Sequence, residues 1–193
     1  LRRQYSRLRL FLKEDLSAEL FSRLQQGDLD LVLLALPYPL PDMHVEKLFA
    51  DRFELLLPPG HPLQKSDNVR QQQLQGEKLL LLEEGHCLRD HALDACKLES
   101  AQMDLIYQGT SLHTLVQMVA NGLGVTLLPE IAVKANIVGN SRLQLKPFSR
   151  DQVAREIGLA WRRTDPRHEE YRLLAGFIRD WVAKKLKCAV LDE

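Results

Sequence analysis

Three cysteines in 193 residues are too few for a disulfide framework. That excludes the small secreted domains held together by several bridges. It fits a reducing, cytoplasmic setting, where a disulfide is transient and functional. Long hydrophobic runs are also missing. A membrane helix needs about 20 apolar residues, whereas the tract Leu79-Leu80-Leu81-Leu82 has the length of a strand. Neither sign of charge is in excess: 26 basic residues balance 26 acidic ones. The chain therefore has no basic surface of its own with which to grip nucleic-acid phosphates. No secretory signal opens it, and it contains no internal repeat and no low-complexity segment. It begins at Leu1 without a methionine, which reads as a piece of a longer protein. The 45% of hydrophobic residues suffice for one packed globular unit or two small lobes.

Strand-like and helix-like segments alternate along the chain. Leu8 to Leu12 reads as a strand. Ser17 is placed to cap a helix from Ala18 to Gln26, whose Leu20, Phe21 and Leu24 share one face, and Gly27 ends it. Leu29 to Leu36 is almost continuously apolar, the pattern of a central strand buried on both faces of a parallel sheet. Pro37, Pro39 and Pro41 mark a loop. Val45 to Phe49 and Phe53 to Leu57 read as two strands joined through Ala50-Asp51-Arg52, followed by a turn at Pro58 to Pro62. A short helix is expected over 69–74 and a buried strand over 78–82, with another strand from Asp104 to Gln108. Ser111 caps a helix from Leu112 to Asn121, stopped by Gly122 and Gly124. Val125 to Leu128 is a strand, Glu130 to Lys134 a short helix, and Leu143 to Leu145 and Glu156 to Trp161 are strands. A long helix from His168 to Cys188 follows, with Tyr171, Leu174, Phe177, Ile178 and Trp181 on its apolar side. The class is α/β with a mostly parallel sheet.

One segment carries chemistry: Gly85-His86-Cys87-Leu88-Arg89-Asp90, with Cys96 nine residues after Cys87. Positive charge beside a thiol favours the thiolate, the form that attacks peroxides and disulfides. A second thiol nearby can capture the oxidised sulfur. Residues 88–97 read as a short helix. Nine residues of helix make about two and a half turns, which puts the thiols on opposite faces and about 13 Å apart. A disulfide needs Cα atoms within about 7 Å, so Cys87 and Cys96 can pair only if that helix unwinds.

Plainer readings use the same residues. Cys87 alone is a small hydrophobe, and Cys96 lies on the face of Leu88 and Ala92, where it can simply pack. His86, Cys87, His91 and Cys96 are all zinc-ligand types, and Cys87 and His91 stand one turn apart. Cys96 points away, however, and no Cys-x-x-Cys pair exists, so neither a metal nor another cofactor is assigned. Thr110 and Ser111 open a helix, where backbone N–H groups attract anions or need only a cap. Arg155 by position alone is a surface strand residue, and Cys188 has no role.

Thr110-Ser111-Leu112-His113-Thr114-Leu115-Val116, continued by Ala120-Asn121-Gly122-Leu123-Gly124-Val125-Thr126-Leu127-Leu128-Pro129, resembles the helix–glycine–strand signature of the effector-binding domain of LysR-type transcriptional regulators. Gln26-Gly27-Asp28-Leu29-Asp30-Leu31-Val32 resembles the same domain's early helix–turn–strand. The cysteine segment, Gly85 to Ala92 with Cys96, resembles the hydrogen-peroxide-sensing OxyR group within that family. The likeness runs from near Leu1 to about Trp181. It implies a two-lobed fold of periplasmic-binding-protein type. Lobe one would be residues 1–50 and 156–193 and lobe two residues 51–155, joined by two crossing strands.

By position it implies Cys87 as the peroxide-reacting cysteine and Cys96 as the resolving one, with His86 and Asp90 beside the peroxide. Arg155 would stabilise the thiolate and Ser17 would supply a pocket hydroxyl. Thr110 and Ser111 match effector contacts of LysR-type domains generally. The partners implied are hydrogen peroxide, a homodimer or homotetramer, thiol reductants of the glutaredoxin or thioredoxin kind, RNA polymerase, and DNA through an N-terminal winged helix-turn-helix outside this chain. The implied protein is a cytoplasmic transcription activator and not an enzyme. Three departures stand out: the first strand and helix of lobe one are missing, Ile106 replaces a histidine, and Cys188 matches nothing. The alternatives are a LysR-type domain that binds a small organic effector between its lobes, a thiol peroxidase, and a free-standing solute-binding protein.

Overall fold

A strand of fifteen residues, β2 (Met43–Leu57), runs through the molecule and organises everything else. This computed structural model describes residues 5, 8–97, 108–149 and 153–191. The other strands are β1 (Val32–Leu36), β3 (Leu79–Leu82), β4 (Gln108–Gly109), β5 (Val125–Pro129), β6 (Gln144–Pro147) and β7 (Ala154–Arg162). The helices are α1 (Ser17–Gln26), α2 (Cys87–Cys96), α3 (Leu112–Ala120), α4 (Glu130–Lys134) and α5 (His168–Trp181). One sheet joins the strands in the order β1-β7-β2-β5-β3-β4, and β6 also pairs with β2.

The two halves of β2 have different neighbours. Met43 to Arg52 pairs antiparallel with β7, in a register that sets Asp51 opposite Arg155. Phe53 to Leu57 pairs with β5 and β6. In this second half the alternation of side chains divides two cores. Phe53, Leu55 and Leu57 pack with Leu79, Leu81, Val125 and Leu127 against Ala92, Leu93 and Cys96 of α2. Leu56 points the other way, with Leu80, Leu82 and Leu128, onto Leu115, Val116 and Val119 of α3. The all-leucine tracts are therefore strands covered by a helix on each face. The first half of β2 supplies Leu48 and Phe49 to a core with Ile157, Leu159, Trp161 and α5 residues Tyr171 and Ala175. Across the sheet, Met43 joins Val32, Leu34 and Ala160 over Leu24 of α1. Arg162 Nη1 ties the end of α1 to this sheet, donating to Leu24 O at 2.5 Å and Leu29 O at 2.6 Å.

Several expectations need correction. The sheet is mixed: β3 pairs parallel with β4 and β5, while β1–β7, β2–β7, β2–β5 and β2–β6 are antiparallel. An apolar run reports burial on two faces, not strand direction. Among the described strands β1 lies at the end of the order, with Leu33 half exposed. The two strands around Ala50-Asp51-Arg52 are one, because Asp51 is paired across the sheet. Leu8 to Leu12 forms no strand, and Phe11 and Leu12 are exposed. Ser17 is not the cap of α1: Leu16 holds that position and Ser17 is the first helical residue. The short helix after Val69 is a 3-10 turn, Gln71–Leu74. Of the strand expected over 104–108, only Gln108 lies among the described residues, where it opens β4.

α5 ends at Trp181, which is exposed, and a π turn, Val182–Leu186, carries the chain to left-handed Lys187. The tail then lies along β2, with Ala50 N–H donating to Ala189 O at 2.8 Å and Leu191 N–H to Leu48 O at 3.1 Å.

The glycines after α3 have separate reasons. Gly122 is left-handed at φ 73°. A side chain on Gly124 would stand 2.3 Å from Lys78 O, where α3 hands over to β5 beside β3. Since that neighbour is backbone, Gly124→Ala should lower stability by about 1–3 kcal/mol. Gly122→Ala should cost about 1–2 kcal/mol for its conformation alone. Denaturant unfolding of the two variants checks both.

Candidate functional site

Two helices begin at the same place. Gly85, left-handed at φ 93°, turns the chain into α2, and a side chain there would meet Leu16 Cδ1 at 3.7 Å. Cys87 is the first residue of α2 and Ser17 the first of α1. Neither side chain is used as a cap, and the Ser17 hydroxyl acts on the Cys87 thiol by lowering its pKa.

Cys87 is partly buried and its thiol is held below the ordinary thiol range. The main cause is a hydrogen bond from His91, one helical turn on. Burial pushes the other way, and the Ser17 hydroxyl and the charges of His91 and Arg155 lower it further. The free N–H groups of a helix N-terminus act in the same direction. His91 shows the reciprocal effect. Its bond to Cys87 raises its pKa, burial opposes this, and the Pro37 carbonyl assists. Nε2 lies 3.2 Å from Pro37 O, to which it can only donate. Nδ1 is buried and has no hydrogen-bond partner among the described residues, and His91 stands one helical turn from Cys87. The two shifts run in the direction that favours a thiolate beside an imidazolium. Tyr38, next along from Pro37, is raised by burial and by the charge of Cys87, so it borders the same pocket.

Arg155 acts at longer range. Its Nε (3.0 Å) and Nη2 (2.9 Å) both donate to Oδ2 of Asp51, the residue opposite it in the sheet. Asp51 is fully buried, and its Oδ1 accepts from Ile131 N–H at the start of α4 at 3.1 Å. Burial raises the Asp51 carboxyl, and Arg155 and Ile131 oppose that.

Cys96 closes α2 on the opposite side. It is buried among the apolar residues under β2, and burial pushes its thiol up to about 12. Cys87, Cys96 and Cys188 are all free thiols. His86 precedes α2 and is half buried. Asp90 is exposed, 3.9 Å from Arg89 Nη1. Arg89, expected to act on the thiol, is buried and lies between Asp90 and Glu84, the latter 3.8 Å away. Thr110 and Ser111 stand apart from this cluster. Both are exposed, and Ser111 Oγ caps α3 by accepting from Thr114 N–H at 3.2 Å. No group of three metal-ligating side chains gathers among the described residues.

The LysR substrate binding domain family matches residues 1–183. The chain belongs to that family. A probable hydrogen peroxide-inducible genes activator of Mycobacterium avium is 40% identical over 92% of this chain. The chain spans 57% of that protein's length. The reduced regulatory domain of OxyR2 from Vibrio vulnificus is 34% identical, with a TM-score of 0.85 over 93% of this chain and 84% of that one. A cysteine mutant of OxyR from Corynebacterium glutamicum, with hydrogen peroxide bound, is 27% identical, with a TM-score of 0.88 over 96% of this chain and 59% of that one. The LysR-type fold is thus a two-lobed α/β sheet with helices on both faces, and among the described residues no helix is long and apolar enough to cross a membrane.

The structure brings Cys87 and Ser17 together, with Arg155 within electrostatic reach. It adds His91, Tyr38 and Asp51. His91 had a signal, its spacing of four from Cys87, but that spacing suggested chelation. Tyr38 and Asp51 had none, since only the folded chain brings them near.

These environments order the thiols. At neutral pH a short iodoacetamide pulse should alkylate Cys87 before Cys96 and Cys188, with labelling of all three equalised in denaturant; peptide mass spectrometry reads the ratio. Arg155→Met leaves Asp51 buried without its cation. That raises the carboxyl pKa further, so the folded state prefers the protonated acid and loses stability as pH rises. A loss of about 3–5 kcal/mol is expected at neutral pH, shrinking in acid, and urea unfolding at the two pH values measures it.

Proposed function

We propose that this chain is the regulatory domain of a hydrogen-peroxide-responsive LysR-type transcription regulator, with Cys87 as the sensing thiol and Cys96 as its resolving partner. The observation that carries this is α2 itself, which holds an activated thiol at one end and a buried, inert thiol at the other. Relatives named as hydrogen peroxide-inducible activators and a peroxide-bound structural neighbour support it.

Peroxide enters beside Ser17, Tyr38 and His91, with His86 and Asp90 at the rim. The Cys87 thiolate attacks one oxygen, the O–O bond breaks, and Cys87 becomes a sulfenic acid with release of water. Its condensation with the Cys96 thiol expels a second water and gives the Cys87–Cys96 disulfide. Regular helix holds the two residues about 13 Å apart, so α2 must unwind before this bond closes. We assign lobe one to residues 1–50 and 156–193 and lobe two to residues 51–155. The remodelled segment lies in lobe two, against β1 and β7 of lobe one. It would alter how copies associate and, in the longer protein, how a DNA-binding domain meets its promoter and RNA polymerase. A thioredoxin- or glutaredoxin-type reductant would reset it. The domain signals once per disulfide and does not turn over.

The test is one equivalent of peroxide on the reduced domain, followed by alkylation and peptide mapping. A Cys87–Cys96 disulfide with Cys188 still alkylated is expected, together with increased amide exchange over 87–97. Cys87 oxidising no faster than Cys188 would overturn the proposal and turn attention to small organic effectors.

A further inference from the structure

Resting on that reading of Cys87, we infer that His91 is a catalytic residue of the sensing step: it delivers the proton that the departing peroxide oxygen requires. The argument is geometric. Residues four apart on a helix lie on the same face, so α2 sets the imidazole beside the sulfur. The Pro37 carbonyl fixes the ring from the far side, with Nε2 3.2 Å away. A carbonyl accepts and never donates, so Nε2 keeps its hydrogen in both charge states. The proton that comes and goes is therefore the one on Nδ1. That atom is buried without a hydrogen-bond partner among the described residues, and a buried ring nitrogen is normally paired. The unpaired nitrogen lies on the helical face of Cys87, so the leaving oxygen can fill that place during reaction.

The charges that act on His91 are few. Cys87 lies on the same helix and favours the imidazolium. Arg155 approaches from β7 and opposes it, with its own charge held by Asp51 of β2. Tyr38, on the loop after β1, is a phenol whose pKa is raised by burial and then by the charge of Cys87. Of the groups acting on His91 among the described residues, Cys87 is the anionic one.

The step balances. The Cys87 sulfur forms a bond to one peroxide oxygen and gives up two electrons as the O–O bond breaks. The departing oxygen takes the Nδ1 proton of His91 and leaves as water. A thiolate and an imidazolium become a neutral sulfenic acid and a neutral imidazole. The reaction therefore removes the ion pair that held the first turn of α2, and the same proton transfer that completes the chemistry releases the helix end that must unwind.

Rapid mixing of the domain with peroxide from pH 5 to 9, for the native protein and His91→Gln, tests this, with iodoacetamide alkylation of Cys87 run in parallel. Gln can still donate to Pro37 O but cannot carry a proton to the leaving oxygen. Two effects are expected. The thiol of the variant titrates at higher pH. Above that pH, where both proteins hold Cys87 as thiolate, the peroxide rate remains about 100-fold lower, while alkylation, which needs no acid, recovers. Equal peroxide rates for the two proteins across the pH range would overturn the assignment. A native Cys87 no faster than Cys188 would instead sink the peroxide-sensing reading beneath it. Should the Gln variant fail to fold, NMR titration of the His91 imidazole decides the matter. Cys87→Ser is expected to bring its pKa down, and an unchanged titration overturns the pairing.

Discussion

Cys87 opens α2 and Cys96 closes it, and a regular helix of ten residues cannot bring its two ends together. The other features of the site depend on that separation. Different forces hold the two ends. At the first turn the hold is electrostatic: imidazolium, thiolate, the Ser17 hydroxyl and the helix dipole act within one small pocket. At the last turn the hold is hydrophobic: Leu93 and Cys96 lie against Phe53, Leu55, Leu57 and Leu79. Removing a side chain such as Leu93 from that core gives up about 1.5–3 kcal/mol. A disulfide that requires this loss is formed against the packing and is correspondingly easy to reduce. With both cysteines as free thiols, both holds act at once.

The electrostatic end requires that charges stay where they are, and the sheet ensures this. Asp51 is buried in β2, bonded to Arg155 of β7 on one oxygen and to the start of α4 on the other. Three elements meet on one carboxylate. Burying such a pair is not in itself stabilising, because both ions lose water. Its effect is positional: Arg155 cannot swing toward the thiolate to form a direct pair, so the thiolate's close partner is His91. Arg155 therefore lowers the thiol pKa as a background field, while His91 lowers it most.

Much of this frame is legible in the chain. The leucine tracts at 55–57 and 79–82 announce strands covered on both faces, and the observed α2 differs by one residue at each end from the helix read over 88–97. The Gly122 and Gly124 stops fall where α3 ends and β5 begins. What could not be read is what depends on partners distant in sequence. Strand direction is invisible to hydrophobic pattern, so β1 and β7 gave no sign of running antiparallel. Asp51 and Arg52 looked like a break between strands because a charged pair mid-strand makes sense only once Arg155, 104 positions on, stands opposite. Ser17 looked like a cap, since that is what serine before an apolar helix usually is. At the site, His86 and Arg89 flank Cys87 along the chain, while His91, four residues on, shares its helical face.

Cys188 shows that proximity to a cation does not by itself make a sensor. Its sulfur lies 3.7 Å from Lys134 Nζ, yet burial raises its thiol, as do Glu130 and Asp51. The ammonium of Lys134 already donates to Glu130 and to the Leu186 carbonyl, so its charge is largely answered before the sulfur is reached. Among the described residues no cation offsets the burial of Cys96, whose thiol is raised to about 12. Cys87 alone combines a helix N-terminus, a hydroxyl donor and an imidazole with a nitrogen left open toward the sulfur. A thiolate is favoured where the surrounding cation has no better anion, and in this chain the thiol is lowered beside His91 and raised beside Lys134.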